Sequence, residues 1–381
     1  MKNMNTMTLL AAGTCAMIAA SAANAAFTLQ TGDIVVSRVS SGSASASLSS
    51  STAAMYLDVY RKTAGTWALD SSLAMPSTGA GTKLTLSGTA TSEGFISRGS
   101  DNRSVAVFGY NLAAASSTGT AKTLALVDSS GTVTSRTATI SGAARSIIET
   151  GTGYYASTDS KVSWNANATP STVTDIKSGN ARVLASTGSQ LWVTSGSTTF
   201  FSSTTSTGAG TLGTGLPTTG SQTATWAMSG SGSSAYGLCV FDTNSDGITD
   251  LAYVADSGST TGGITKYVLS AGSWVSKGTI GASIFGLSGY YDGSSVVLSA
   301  TSFTTALATG GTSKLYTFTD SSISGALSGT LETVATLTSQ TGTAGNSLTY
   351  AEAFRGTAYI PAPGALALLG VAGLVGARRR R

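Results

Sequence analysis

Leu251-Ala252-Tyr253-Val254-Ala255-Asp256, then Gly262-Gly263-Ile264-Thr265-Lys266-Tyr267-Val268-Leu269, then Ser273-Trp274-Val275, is the stretch whose grammar decides the fold. Three runs rich in β-branched and aromatic residues follow one another closely. Gly, Ser and Thr separate them, in gaps too short to hold another element. The spacing predicts three consecutive antiparallel strands. Just upstream, Ser234 to Phe241 adds a fourth, in which Cys239 alternates with Tyr236, Leu238 and Val240.

That upstream strand has counterparts. Ser92 to Arg98, Ala144 to Thr150, Ala181 to Thr187, Ser283 to Tyr291 and Tyr350 to Ile360 are short and rich in small residues, as strands crowded around a common axis must be. Two or three further strands follow each leader except the last, at intervals of roughly 35 to 65 residues, near the 40 to 50 of propeller blades. The strands between Asp33 and Leu73 lack a leader, and the last leader lacks followers. Joining the two completes one blade from both ends of the chain and removes two exposed sheet edges. The expectation is an all-β single propeller of six blades, or seven if one has escaped notice. A parallel β-helix or stacked sandwiches share this composition and are the alternatives.

Elsewhere the same grammar holds. Ile34-Val35-Val36-Ser37-Arg38-Val39 and Met55-Tyr56-Leu57-Asp58-Val59-Tyr60 read as strands, and Ala64-Gly65 as a turn before Trp67-Ala68-Leu69. Phe95-Ile96-Ser97 and Val105 to Tyr110 flank a turn at Ser100-Asp101-Asn102. Thr123 to Val127 and Val133 to Arg136 flank Ser129-Ser130-Gly131, a hairpin. No amphipathic helix period appears, and no Pro-rich or charged linker divides the body.

The formal charge of +4 misleads. Lys2 and Arg378 to Arg381 lie in terminal segments apart from the body. That leaves sixteen bases against seventeen acids, a net charge of −1. The bases are scattered, so no basic face is available for nucleic acid.

The termini read as addresses. Lys2, the apolar Leu9 to Ala20 and Ala23-Asn24-Ala25 form a signal peptide over residues 1–25, which removes Cys15 and leaves Cys239 alone, without a disulfide partner. The body is 26–360, about 335 residues and one domain. At 361–381 come Pro361-Ala362-Pro363, an apolar run from Gly364 to Ala377, and Arg378, Arg379, Arg380 and Arg381. As a helix that run rises about 21 Å, short against a hydrocarbon core of about 30 Å. The arginines belong on the cytoplasmic side.

This tail resembles the PEP-CTERM sorting signal of Gram-negative bacteria that make exopolysaccharide. Pro361, Pro363, the apolar run and the arginine cluster match, and Ala362 stands where that family usually has Glu. The resemblance implies a transient membrane anchor, an exosortase-type protease as partner, and a final place outside the cell or on its surface. An ordinary uncut membrane anchor is the plainer reading. The Leu251 unit is similar to blades of secreted bacterial propellers bearing this kind of tail.

Asp242-Thr243-Asn244-Ser245-Asp246-Gly247-Ile248-Thr249-Asp250 places side-chain oxygens at positions 1, 3, 5 and 9, with Gly at 6. Calcium takes six to eight oxygens, and one tight loop so spaced can turn several inward. The candidate ligands are Asp242, Asn244, Asp246, the Ile248 carbonyl and Asp250. The pattern resembles EF-hand loops, and still more the calcium loops of integrin-type propellers, whose last Asp leads into a strand as Asp250 leads into Leu251. Tyr253 at position 12 departs from the EF-hand. The other reading is an Asx-rich hairpin turn without metal. Any ion here would be structural and weakly held.

The chain has no His, which excludes Ser-His-Asp and Cys-His catalysis and His-bearing zinc sites. Paired-carboxylate chemistry needs only acids. Of the glutamates, Glu93, Glu149 and Glu352 adjoin proposed inner strands. Trp67, Trp164, Trp192, Trp226 and Trp274 are core residues or sugar platforms. The expected function is that of a secreted surface or extracellular-matrix interaction protein, not an enzyme, associated with exopolysaccharide. The alternative is an extracellular polysaccharide-binding or polysaccharide-active enzyme.

Overall fold

The computed structural model describes residues 26–42, 48–202, 207–230, 232, 234–258, 261–281, 283–303, 312–338 and 352–361. Residues 1–25, read above as a signal peptide, and all of the tail after Pro361 lie outside the described residues. Among those described, every regular element is a strand.

β1 (Ile34–Ser40), β2 (Thr52–Thr63) and β3 (Thr66–Ala74) pair in succession. After the short β4 (Thr85–Ser87), a second unit runs β5 (Ser97–Arg98), β6 (Val105–Tyr110), β7 (Ala121–Val127) and β8 (Val133–Thr139). The third is β9 (Ala144–Glu149), β10 (Gly153–Thr158), β11 (Lys161–Ala166) and β12 (Thr174–Ser178). The fourth is β13 (Leu184–Ser186), β14 (Leu191–Ser195), β15 (Gly208–Leu212) and β16 (Ala224–Met228). Next come β17 (Ala235–Phe241), β18 (Leu251–Asp256), β19 (Gly263–Ser270) and β20 (Ser273–Ile280), then β21 (Ile284–Tyr291), β22 (Val296–Phe303), β23 (Thr312–Asp320) and β24 (Glu332–Thr338). The last strand, β25 (Glu352–Tyr359), returns to pair antiparallel with β1. The described residues thus form a propeller of six four-stranded blades, the first being β25-β1-β2-β3.

The ring closes where the sequence places it: Ile34 opposes Tyr359 and Arg38 opposes Phe354. The six leaders are the six inner strands. The second leader differs in detail, because only Ser97 and Arg98 join the ladder of β6, while Phe95 makes a lone parallel bridge to Ser146. β4 has no counterpart in the sequence reading. It pairs with the start of β2 and touches β6 at Thr85–Tyr110, so blades one and two share one nine-stranded sheet. The reason is length: β2 has twelve residues, and β3 covers only Tyr56 to Thr63, which leaves Thr52 to Ala54 to find another partner.

Burial explains the residue choice. β1, β6, β10 and β18 are flanked by neighbouring blades on both faces, so they are buried almost throughout and read as continuous apolar or small-residue runs. The outer strands β8 and β20 are largely exposed and carry Ser, Thr, Arg and Lys. Ala64 and Gly65 both take positive φ, 50° and 85°, as a two-residue hairpin with the native strand twist requires. Between blades five and six, the ammonium of Lys266 lies 2.7 Å from Asp320, which also accepts from the Tyr253 hydroxyl at 2.6 Å, all of it buried.

Candidate ligand site on the axis

Small residues let the inner strands crowd the axis. A Cβ on Gly356 would come within 2.5 Å of the Phe95 Cα, and one on Gly237 within 2.6 Å of the Leu287 Cβ. The residue before each of these glycines is large. At this end Arg182 lies 4.0 Å above the Tyr236 ring, and Tyr236 meets Phe285 at 4.8 Å and Phe95 at 6.0 Å. The arginines also stitch blade to blade. Arg145 donates to the Ala181 carbonyl at 2.9 Å, Arg182 to the Ala235 carbonyl at 2.7 Å, and Arg355 to the Gly88 carbonyl at 2.7 Å. An aromatic and guanidinium plug therefore fills the end of the axis where the inner strands begin.

Where they end, the axis opens into a bowl of about 830 Å³. Its wall comes from β5, β9, β13, β17 and β21 and the loops that follow them. Hydroxyls dominate: Ser97, Ser100, Thr150, Ser186, Thr187, Ser189, Ser245 and Ser288. Tyr290, Tyr291 and Phe241 give it aromatic surface, and the Tyr290 ring is nearly parallel to Tyr359, 11° apart with centroids at 6.4 Å. Cys239 is part of the wall, its thiol pushed up by burial and so held protonated.

Among the described residues, three charged side chains line the bowl: Arg98, Glu149 and Asp242. Both acids are engaged. Glu149 accepts from the Ser100 amide at 2.9 Å and hydroxyl at 2.7 Å, and from the Gly151 amide. Asp242 accepts from the amides of Asp246 at 3.2 Å and Gly247 at 2.8 Å. Arg98, reaching from blade two towards Cys239 of blade five and Tyr290 of blade six, makes no hydrogen bond or ion pair among the described residues. Burial lowers its pKa, against a weaker opposing pull from Cys239 and Tyr290.

The 242–250 loop forms part of the rim. Asn244 and Asp242 each accept from the Asp246 amide, and Asp246 accepts from the Asn244 side-chain amide at 3.0 Å and the Ile248 amide at 2.8 Å. These three side chains are gathered together. Asp250 is turned away, accepting from the Thr243 amide at 2.9 Å and hydroxyl at 2.7 Å. Ile248 points its side chain to solvent. Among the described residues no group of three His, Cys, Asp or Glu side chains is close enough to share a metal. The loop docks on blade four, where the Trp192 indole donates to Thr249 at 3.2 Å and Ser189 donates to the Gly247 carbonyl at 3.2 Å.

The three glutamates beside inner strands do not converge. Glu93 is buried near the plug, accepting from the Ser87 amide and the Tyr110 hydroxyl, both at 2.8 Å, with its pKa raised by burial. Glu352 binds Arg38 at 2.5 Å at the start of β25, and Glu149 is on the bowl. Trp164 and Trp192 are buried, and none of the five tryptophans lines the bowl. The aromatic wall belongs instead to Tyr290 and Tyr291, and the charge to Arg98. Their signal in the sequence is position: each stands at the C-terminal end of a leader. Of the residues read as a sorting signal only Pro361 is described, and it is buried.

No family model matches the chain, and no curated protein is similar to it in sequence. Among solved structures it is similar to a chain of a nidogen/laminin complex, at 10% identity and a TM-score of 0.46, covering 86% of this chain and 98% of that one. A protein from Lactobacillus plantarum has 11% identity and a TM-score of 0.42, with 86% and 99% covered. The N-terminal domain of Nup159 has 9% identity and a TM-score of 0.34, with 64% and 61% covered.

Proposed function

We propose that this protein is a secreted cell-surface or extracellular-matrix interaction protein, sorted by its PEP-CTERM-like tail and an exosortase-type protease, and that the axial bowl holds exopolysaccharide. The observation that carries the proposal is the bowl itself: an 830 Å³ concavity rich in hydroxyls and edged by tyrosines. Ser and Thr hydroxyls both donate and accept, as sugar hydroxyls do, and tyrosine rings offer apolar faces to sugar rings. The −1 charge of the body and the absence of His fit a binding role without His-based chemistry. The test is calorimetric titration of the secreted protein with oligosaccharides from its own matrix, beside a Ser186→Trp variant that fills the bowl. Binding lost in that variant supports the proposal; equal binding by both proteins, or by neither, removes it.

A polysaccharide-active enzyme is the second reading, because Glu149 and Asp242 place two carboxylates on one cavity. New reducing ends released during the same titration would favour it.

A further inference from the structure

We infer that Arg98 is an anion anchor, and that the ligand of the bowl carries a carboxylate, as an acidic polysaccharide does; this rests on the bowl being a ligand site. Five other arginines that pack within the ring have partners. Arg38 meets Asp58 at 2.6 Å, Arg61 meets Asp33 at 2.8 Å, and Arg145, Arg182 and Arg355 donate to backbone carbonyls of a neighbouring blade or its leading segment. Arg98 stands at the edge of the bowl with its five N–H donors unused by any described residue. A cation held partly out of water and unpaired is costly, and a bound anion relieves that cost.

The rest of the wall narrows the class of anion. One guanidinium faces a cavity that also carries Glu149 and Asp242, so the wall is net negative and resists a dianion such as a phosphate monoester. Both acids already accept from backbone amides. A planar monoanion suits the guanidinium fork, which binds carboxylates through two parallel hydrogen bonds. Ser288, Ser186 and Tyr290 line the same cavity and can bond the hydroxyls of the sugar that bears it.

The experiment compares an oligosaccharide bearing a single terminal galacturonate, a monoanion, with its neutral, carboxyl-reduced counterpart, titrated into the wild-type protein and into Arg98→Gln and Arg98→Lys. Wild type is expected to prefer the acidic sugar by about tenfold or more, the worth of a hydrogen bond to a charged group. Arg98→Gln should lose that preference while keeping its affinity for the neutral sugar. Arg98→Lys, which keeps the charge but not the fork, should fall between. Because no described residue pairs with Arg98, neither change should lower the melting temperature. Equal wild-type binding of the two sugars, or a preference that survives in Arg98→Gln, overturns the inference while leaving the bowl a glycan site. Binding of neither sugar also overturns the inference, and the matrix oligosaccharides then decide separately whether the bowl is a glycan site.

Discussion

The amide of Gly356 donates to the hydroxyl of Ser37 at 2.8 Å, across the ladder that joins the last described strand to the first. The same hydroxyl donates to the Gly94 carbonyl at 2.6 Å. It sits at a bulge: between the pairs Val36–Thr357 and Arg38–Phe354, one residue of β1 faces two of β25. One side chain thus ties both ends of the chain to the next blade.

Ser37→Ala should therefore weaken closure, though modestly. The Gly356 amide keeps a second acceptor, the Gly94 carbonyl at 3.2 Å, so the expected loss is about 1 kcal/mol. Phe354→Ala should cost more, about 3–5 kcal/mol, because the ring is almost fully buried and packs edge-on against Tyr60 at 6.1 Å. Denaturant titration checks both. A midpoint unchanged in Phe354→Ala would mean that the ring does not depend on this seam.

A pH dependence follows from Lys122, which is fully buried over the Tyr110 ring and pushed down by that burial from 10.5 to about 8. Its folded value lies below its unfolded value, so between about pH 8 and 10.5 the unfolded chain binds more protons. Stability attributable to this group therefore rises with pH through that window and is flat below it. Relative to Lys122→Met, the wild-type protein should gain on the order of 2–3 kcal/mol from pH 8 to 10.5. Parallel pH profiles for the two proteins would contradict this.

Calcium tests the rim loop. If Asp242, Asn244 and Asp246 share an ion with the Ile248 carbonyl and Asp250, binding to the folded state alone stabilises by RT ln(1 + [L]/Kd). Weak extracellular sites have Kd of about 10⁻⁴–10⁻³ M, so millimolar calcium should raise the melting temperature only modestly over EGTA. Asp246→Ala should remove the increment and keep the fold. A melting temperature indifferent to calcium makes the loop a turn held by its own amides, which its hydrogen bonds already allow.

Processing of the tail is open to mass spectrometry. The extracellular form should lack residues beyond about Pro363, and a Pro361→Ala, Pro363→Ala double variant should stay in the membrane. The ring contacts made by the last described residues come before such a cut. Ile360 donates to the Asp33 carbonyl at 2.9 Å and accepts from the Gly32 amide at 2.8 Å. Intact Arg378 to Arg381 on the extracellular protein would refute processing.

The all-β class, the six inner leaders and the seam that pairs Phe354 to Ile360 with Ile34 to Val39 were legible in the sequence alone. These follow from local physics: β-branched runs, turn residues at fixed offsets, and small residues wherever backbones must approach, as at Gly237 and Gly356. It also located the 242–250 loop, because a turn written in Asp, Asn and Gly is local chemistry. Which side chains share a space is a matter of packing between blades and is not written locally. β4 joined two blades because β2 outran β3, a matter of relative length. Glu93, Glu149 and Glu352 all adjoin inner strands, yet one lies by the plug, one at the bowl and one in an ion pair with Arg38. Arg98 looks like any other scattered base in the sequence. Its lack of a partner among the described residues depends on five strands brought together from across the chain, a relation that no local pattern encodes.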